Sequence, residues 1–342
     1  MTEGLRVELF PAAVAEAPPG WAEFVTAQGL AAMWEWPMVS ALARVHRSAV
    51  VGGLVLDGSR VFGVMTARFS GARLGRGRTP LLGVFDVDCV LSPSLPGIML
   101  ATQDDPASRV AALTEAVRAV RVAARRRYGR RLAGVMLRQV DSELLPALVG
   151  RAAIVREGGP IAVFRNRFSD FDDYLASLSY SRRKSLRQMV RKVERNPELC
   201  IASTTDGDVV APRLTAAQVC ALHRHTVDKH HTRWWLRKRV IERTVAQSQL
   251  DNPRIHWITY HDRAGTLLRY ESTWDHPTMP YLGVGGALDV ADRSFLWFHR
   301  NMHLVRWTIE TGRSGFFSGQ GSISAKATLG YEPVRQFAVL LP

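Results

Sequence analysis

Residues 168–195 read FSDFDDYLASLSYSRRKSLRQMVRKVER. The stretch opens acidic and aromatic, then turns strongly basic. Arg182, Arg183, Lys184, Arg187, Arg191, Lys192 and Arg195 are opposed only by Glu194. At about 100° per residue, Lys184, Arg187, Arg191 and Arg195 fall on one narrow stripe, and Leu186, Met189, Val190 and Val193 fall on the opposite face. Such a helix docks on a core by one side and offers charge by the other. A charge run is often only a solvated face. Here the self-repulsion goes almost unrelieved, which favours a polyanionic partner.

The composition widens the same inference. Lys and Arg number 45 against 31 Asp and Glu, a formal net charge of +14, which points to nucleic acid, a phosphorylated substrate or an anionic surface. With 342 residues, 46% of them hydrophobic, the chain can bury two cores of ordinary size and is not disordered. Cys89, Cys200 and Cys220 are widely spaced and form no CxxC, which suggests a reducing compartment without disulfides or a zinc knuckle. The opening MTEGLRVELF carries no signal-peptide pattern, and no apolar run approaches the roughly 18 residues of a membrane helix. The expectation is a soluble cytoplasmic protein with no integral membrane segment.

Outward from the basic stretch, apolar periodicity predicts a pattern that occurs twice. In the first half, residues 21–44 read as helix with Pro37 as a kink or break. Residues 49–69 read as two strands around Asp57-Gly58, and 81–90 as another strand. Residues 107–128 form an amphipathic helix closed by Gly129, with Arg125, Arg126, Arg127, Arg130 and Arg131 at its dipole-favoured end. Strands at 132–138 and 161–167 flank a short helix at 143–149. In the second half, a strand at 199–203 is followed by helices at 215–227, with Thr215 as N-cap, and at 234–249. Strands follow at 255–261, 267–273 and 281–284. A long helix at 294–311 is stopped by Gly312. A strand at 316–318, a short helix at 323–329 ended by Gly330 and a strand at 334–341 complete the chain. The repeat is one of pattern rather than identity. Its junction near residue 166 has no Pro/Gly linker, so the expected domains are 1–166 and 167–342, the second carrying the basic helix, closely packed and sharing a groove.

The basic stretch, together with FFSGQGSISAKATLGYEPV at 316–334 and its Lys-x-x-x-Gly-aromatic pattern at Lys326, Gly330 and Tyr331, resembles the tandem GNAT-fold proteins of the FemXAB type and their GNAT relatives. The second half carries the resemblance from about Phe168 to Leu341. The first half adds element order and DVDCVLSPSLPGI at 86–98. The resemblance implies an α/β protein of two GNAT-like domains, each a mixed, mostly antiparallel sheet flanked by helices, side by side. It also implies transfer of an acyl or aminoacyl group to an amine. Better-known members take the amino acid from aminoacyl-tRNA. The long coiled-coil insertion of some of those enzymes is missing.

Acyl-CoA-dependent relatives grip pyrophosphate with amides of a Q/R-x-x-G-x-G/A loop at a helix N-terminus. The corresponding stretch at 283–294, GVGGALDVADRS, places Asp289 and Asp292 where a pyrophosphate would be repelled, and the first-half counterpart carries Asp104 and Asp105. The expected donor is therefore aminoacyl-tRNA as co-substrate, with no bound cofactor, and the acceptor a peptidoglycan precursor or small specialised-metabolite amine. An acyl-CoA-dependent N-acyltransferase and a non-catalytic nucleic-acid-binding protein are the alternatives.

Amide formation needs a neutral amine, a proton acceptor and donors for the oxyanion. The resemblance implies Lys326 as the charge-stabilising group, with an exposed helix lysine as the other reading. Glu271, in a strand bordering the groove, is a candidate to orient or deprotonate the amine, or else a salt-bridge partner of Arg269. Asp86 and Asp88, at i and i+2 on one strand, face one side and are candidates to hold a cationic acceptor, or else polar residues of a strand end. Arg182, Arg183, Lys184, Arg187, Arg191, Lys192 and Arg195 are assigned to tRNA. His230, His231, Trp234, Trp274, Tyr281 and Gln320 are assigned to a substrate wall on which a base can stack, with core packing as the other reading of the tryptophans. His223, His225, His230 and His231 lack HExxH spacing and a completing Cys or carboxylate, so no metal site is expected.

Overall fold

Local capping and alternation set most elements. The computed structural model describes residues 4–46, 49–72, 81–92, 94–101, 105–208, 214–230, 241–290 and 295–342. The chain begins with β1 (Arg6–Pro11), α1 (Trp21–Ala27) and α2 (Trp36–Val45). The helical run expected over 21–44 with a kink or break at Pro37 is broken into two helices, and Pro37 fits the first turn of α2, where its missing N–H is not needed. β2 (Val50–Asp57) turns into β3 (Arg60–Ala72) across Gly58-Ser59, with Asp57 paired to Arg60 and Gly58 at φ 58°. Then come β4 (Leu82–Val87), β5 (Ile98–Leu100), α3 (Pro106–Tyr128), β6 (Leu132–Asp141), α4 (Pro146–Val149) and β7 (Ile154–Glu157). Asp105 caps α3 by accepting the Ser108 amide at 2.8 Å. Leu113, Val117, Val120 and Ala124 of α3 lie in the first core.

The second set opens with β8 (Ile161–Arg165), α5 (Phe171–Ser177) and α6 (Tyr180–Glu194). Asp170 and Ser179 cap the two helices through the amides of Asp173 and Arg182. β9 (Leu199–Ser203) leads to α7 (Ala216–His230), where Thr215 and Gln218 exchange side-chain-to-amide bonds as a capping box. There follow α8 (Arg243–Leu250), β10 (Ile255–Asp262), β11 (Leu267–Trp274), β12 (Tyr281–Ala287), α9 (Leu296–Glu310), β13 (Gly315–Phe317), α10 (Ile323–Ala327) and β14 (Glu332–Val334). The chain closes with β15 (Gln336–Leu341).

The strands form two sheets. The first has the order β1-β2-β3-β4-β6-β15-β7, with β5 beside β3, and the second β14-β8-β13-β12-β11-β10-β9. Each contains one parallel pair joined through a crossover helix: β4–α3–β6 and β12–α9–β13. The other strand pairs with a recorded register are antiparallel.

The chain divides into Met1–Ile161 with Val334–Pro342, and Ala162–Pro333. Two strands therefore sit differently from the expected cut near 166. The strand expected to close the first half, β8, pairs with β13 of the second sheet, and the last strand, β15, lies between β6 and β7 of the first. Their side chains explain the placement. Phe337, Val339 and Leu341 alternate into the first core, and Ala162 and Phe164 into the second.

The two parallel pairs differ. β4 and β6 are matched from Gly83↔Leu132 to Val87↔Leu137. β12 and β13 share only Tyr281↔Phe317. Past that point the β13 side stays with β8, through Ser318 N to Ala162 O at 2.8 Å and Ala162 N to Gly319 O at 3.0 Å. The strands part there, and β12 runs on along β11 alone.

Candidate active site

The parting strands border a buried cluster of charge. Arg269 and Glu271 stand two residues apart on β11 and so share a face. Arg269 Nη2 reaches Glu271 Oε2 at 2.9 Å, and Arg300 Nε, from α9, lies 3.2 Å from the same oxygen. The three side chains are 9%, 8% and 4% exposed. Charges this deep persist only when paired. β12 makes room for the pair with glycine. Gly285 is in register with Glu271, and a Cβ there would strike the Glu271 carboxylate. Gly283 and Gly286 are under the same packing requirement, since a Cβ would strike the Trp274 indole at the first and the Tyr270 ring at the second.

Lys326 completes the cluster from α10. Its Nζ donates to the carbonyls of Ser318 and Gly319, the residues that follow β13. It is 4% exposed. Burial, then the Arg300 guanidinium, push its ammonium down to about 7, and Glu271 resists. Burial likewise pulls Arg300 down, with Glu271 opposing. Two guanidiniums thus close on one carboxylate, and the amine lies within its field. Arg269 Nε and Ser318 Oγ are buried with no hydrogen-bond partner among the described residues. Excess positive charge with unused donors suits an anion or a developing oxyanion.

The Lys-x-x-x-Gly-aromatic motif has a geometric reason. Lys326 enters the charge cluster, Gly330 takes φ 77° to reverse the chain, and Tyr331 drops into the core with its hydroxyl on Asn301 Oδ1 at 3.1 Å. Nearby, the Tyr260 hydroxyl meets His299 Nδ1 at 2.8 Å. Burial raises Tyr260 well above its ordinary range and, aided by His303 and Arg306, lowers His299 to about 4.

The basic helix has the two faces expected of it. Leu186 and Val193 are buried. Of its cations, Arg182 donates to Thr328 O at 3.2 Å and lies over the Phe298 ring. Arg183 donates to the last carbonyls of α5, at Leu175 and Ala176. Arg187 meets Asp172 at 3.1 Å, and Lys192 lies over Phe295. Lys184, Arg191 and Arg195 are exposed without an acidic partner among the described residues. Fastening and display are therefore divided among residues that looked equivalent in sequence.

Asp86 and Asp88 lie in the other unit, at the end of β4, and their charge is already matched. Arg138 Nε meets Asp86 at 2.6 Å, and Arg68 bridges Asp86, at 3.5 Å, and Asp88. Asp86 and Asp88 thus form an ion-pair cluster at the strand end, because β3 and β6 bring one arginine each. Asp88 Oδ1 has no hydrogen-bond partner among the described residues. Burial raises Asp88 to about 6, against Arg68 and with a contribution from Asp86.

Trp274 is 2% exposed and belongs to the core rather than a binding wall; a Cβ at Gly283 would strike its indole. Tyr281 stacks on Phe317 at 4.8 Å and 7°, where the parallel strands last touch. Gln320 is half-buried just beyond Gly319. His230 ends α7, and its side chain, with all of His231 and Trp234, lies outside the described residues. His223 Nδ1 accepts the Ile241 amide, and His225 faces Asp289, which also pairs with Lys229 at 2.8 Å.

Sequence reasoning missed Arg300. Its signal was there: on α9 it falls four residues after Leu296 and four before Leu304, both buried, so a charge sits on the apolar stripe.

Residues 96–257 match the FemAB-like family, described as peptidoglycan biosynthesis/recognition. No curated protein sequence matches the chain. Solved structures share the fold at low identity. FemX aligns with a TM-score of 0.56 and 9% identity, over 89% of this chain and 91% of that one. L-PGS from Bacillus licheniformis gives 0.56 and 12%, over 95% and 92%. The C-terminal domain of an Agrobacterium fabrum protein described as a lysylphosphatidylglycerol synthetase gives 0.53 and 12%, over 93% and 91%. The expected α/β fold of two GNAT-like domains is thus the fold of this chain, and the FemXAB-type resemblance stands.

Proposed function

We propose that the second unit joins an amino acid to an amine, with aminoacyl-tRNA as donor. The observation that carries the reading is the Lys326–Arg300–Arg269–Glu271 cluster between the parted β12 and β13, a buried centre with more positive than negative charge. Three features support tRNA as the source of the ester: the displayed cations of α6, the net charge of +14, and a β12 whose glycines serve packing. The FemAB-like match over 96–257 includes α6 and supports a peptidoglycan-precursor amine as acceptor.

The chemistry follows from the cluster. A neutral amine attacks the ester carbonyl carbon, and charge develops on the carbonyl oxygen. The Lys326 ammonium and the Arg300 and Arg269 guanidiniums are donors for that oxyanion. When the tetrahedral intermediate collapses, the C–O bond to the ribose breaks and the new C–N bond remains. The proton lost by the amine ends on the leaving ribose oxygen. With its pKa near 7, Lys326 can give a proton to that oxygen and take one from the amine. Glu271 holds the two arginines and acts as a positioning residue.

The test is product formation by the purified protein with a charged tRNA pool and candidate amines, with and without RNase, beside an arm with acyl-CoA. RNase-sensitive amide formation is expected. Product that requires acyl-CoA and ignores RNase would overturn the donor assignment, and RNA binding without turnover in either arm would overturn the transfer itself.

A further inference from the structure

Tyr180, the first residue of α6, is 71% exposed, the most exposed large hydrophobic side chain among the described residues. At about 100° per residue it falls on the same stripe as Lys184, Arg187, Arg191 and Arg195. An aromatic ring thus heads a row of cations that runs about 16 Å from Tyr180 to Arg191 at about 1.5 Å per residue. The row has a direction. Its Tyr180 end is fastened to the turn after the helix of Lys326, because Arg182 donates to Thr328 O at 3.2 Å. The far end, at Arg191 and Arg195, leads away along the helix.

Cations alone fit any polyanion. A flat, uncovered ring in line with them fits a strand whose phosphates follow the cations and whose unpaired base can lie on the ring. We infer that Tyr180 is a stacking platform for an unpaired base near the 3′ end of an RNA whose phosphates track Lys184, Arg187 and Arg191. The stacked base then sits at the end of the row nearest the Lys326 turn. This inference rests on the reading of an RNA-borne donor and adds a residue and a polarity to it. Arg187 is shared with the exposed Asp172, so Lys184 and Arg191 carry more of the phosphate binding.

The two contributions separate by salt. A cation on a phosphate releases counterions, and removing it flattens the log–log salt dependence by about 0.7 for a single strand, whereas a stacked ring leaves the slope alone. The experiment measures anisotropy of a labelled RNA hairpin with a four-nucleotide single-stranded 3′ tail over a salt series. The proteins are wild type, Tyr180→Phe, Tyr180→Ala and Lys184→Gln. Tyr180→Ala is expected to weaken binding roughly 5- to 150-fold with an unchanged slope, and Tyr180→Phe to stay near wild type. Lys184→Gln is expected to flatten the slope. A tail with abasic nucleotides should make the protein indifferent to Tyr180→Ala. Salt-dependent binding that ignores Tyr180→Ala sinks the platform and leaves the RNA-borne donor standing. No binding of the hairpin at all, or Tyr180-dependent binding only to vesicles of anionic phospholipid, sinks both.

Discussion

Glu271 on β11 and Arg300 on α9 meet at 3.2 Å with less than a tenth of either side chain exposed, and Arg269 closes on the same carboxylate oxygen at 2.9 Å. One carboxylate therefore keeps two buried guanidiniums in place beside Lys326. Glu271→Gln keeps the shape and removes the counter-charge. Breaking a buried ion pair from one side costs about 3–5 kcal/mol. Glu332→Gln, which touches the exposed Arg165 and Arg167, should cost less than about 1 kcal/mol. Urea unfolding of both variants checks the contrast, and equal destabilisation would deny Glu271 its structural role.

Lys326 gives a pH dependence with a definite sign. Its folded-state pKa, about 7, lies below the ordinary 10.5, so the unfolded chain binds the extra proton across that window. Its contribution to stability is complete above about 10.5 and is lost as pH falls through 7. Wild type should therefore gain stability relative to Lys326→Met as pH rises from 7 to 10, by on the order of a few kcal/mol. In single-turnover transfer Lys326→Met should be slower by about 100-fold. Lys326→Arg should recover only part of the rate and lack the alkaline decline near pH 7, because a guanidinium keeps its proton. A fully active Lys326→Met would remove this residue from the chemistry.

Asp88 titrates with the opposite sign. Its folded-state pKa, about 6, exceeds the ordinary 3.8, so the folded protein takes up the proton first on acidification. The resulting stability is complete below about 3.8 and is lost as pH rises through 6. The thermal midpoint of wild type should rise relative to Asp88→Asn between pH 6 and pH 4. A constant difference across that range would show that Arg68 and solvent fully compensate the burial.

The displayed cations of α6 should act on binding and not on folding. The triple change Lys184→Gln, Arg187→Gln and Arg191→Gln leaves Leu186 and Val193 in place, so the thermal midpoint should move little. The salt slope for tRNA should fall by about 0.9 or somewhat less for each phosphate that is no longer neutralised. An unchanged slope would take the helix out of the binding surface.

Much of the fold was legible because it is written locally. Capping residues, glycine stops and apolar spacing placed α3, α6, α7 and α9 and most strands within a few residues. Where one signal had two outcomes, the sequence left both open, as with Pro37, which starts α2 and so breaks the helical run rather than kinking it. The site was half legible. Lys326 and Glu271 could be singled out, but the acids at 86 and 88 looked free because nothing near them in sequence reveals Arg68 and Arg138.

The sequence by itself determined the order of elements, their repetition, the two-faced helix of 180–194 and the motif from Lys326 to Tyr331, since periods of two and 3.6 and the needs of helix ends involve only neighbours along the chain. Tertiary structure alone decided that β8 and β15 sit in opposite sheets, that β12 and β13 part after Tyr281 and Phe317, and that Arg300 joins Glu271 and Lys326. Each of these is a pairing between distant segments, chosen by which sheet edge and which core can bury a given face, and no local pattern records that choice.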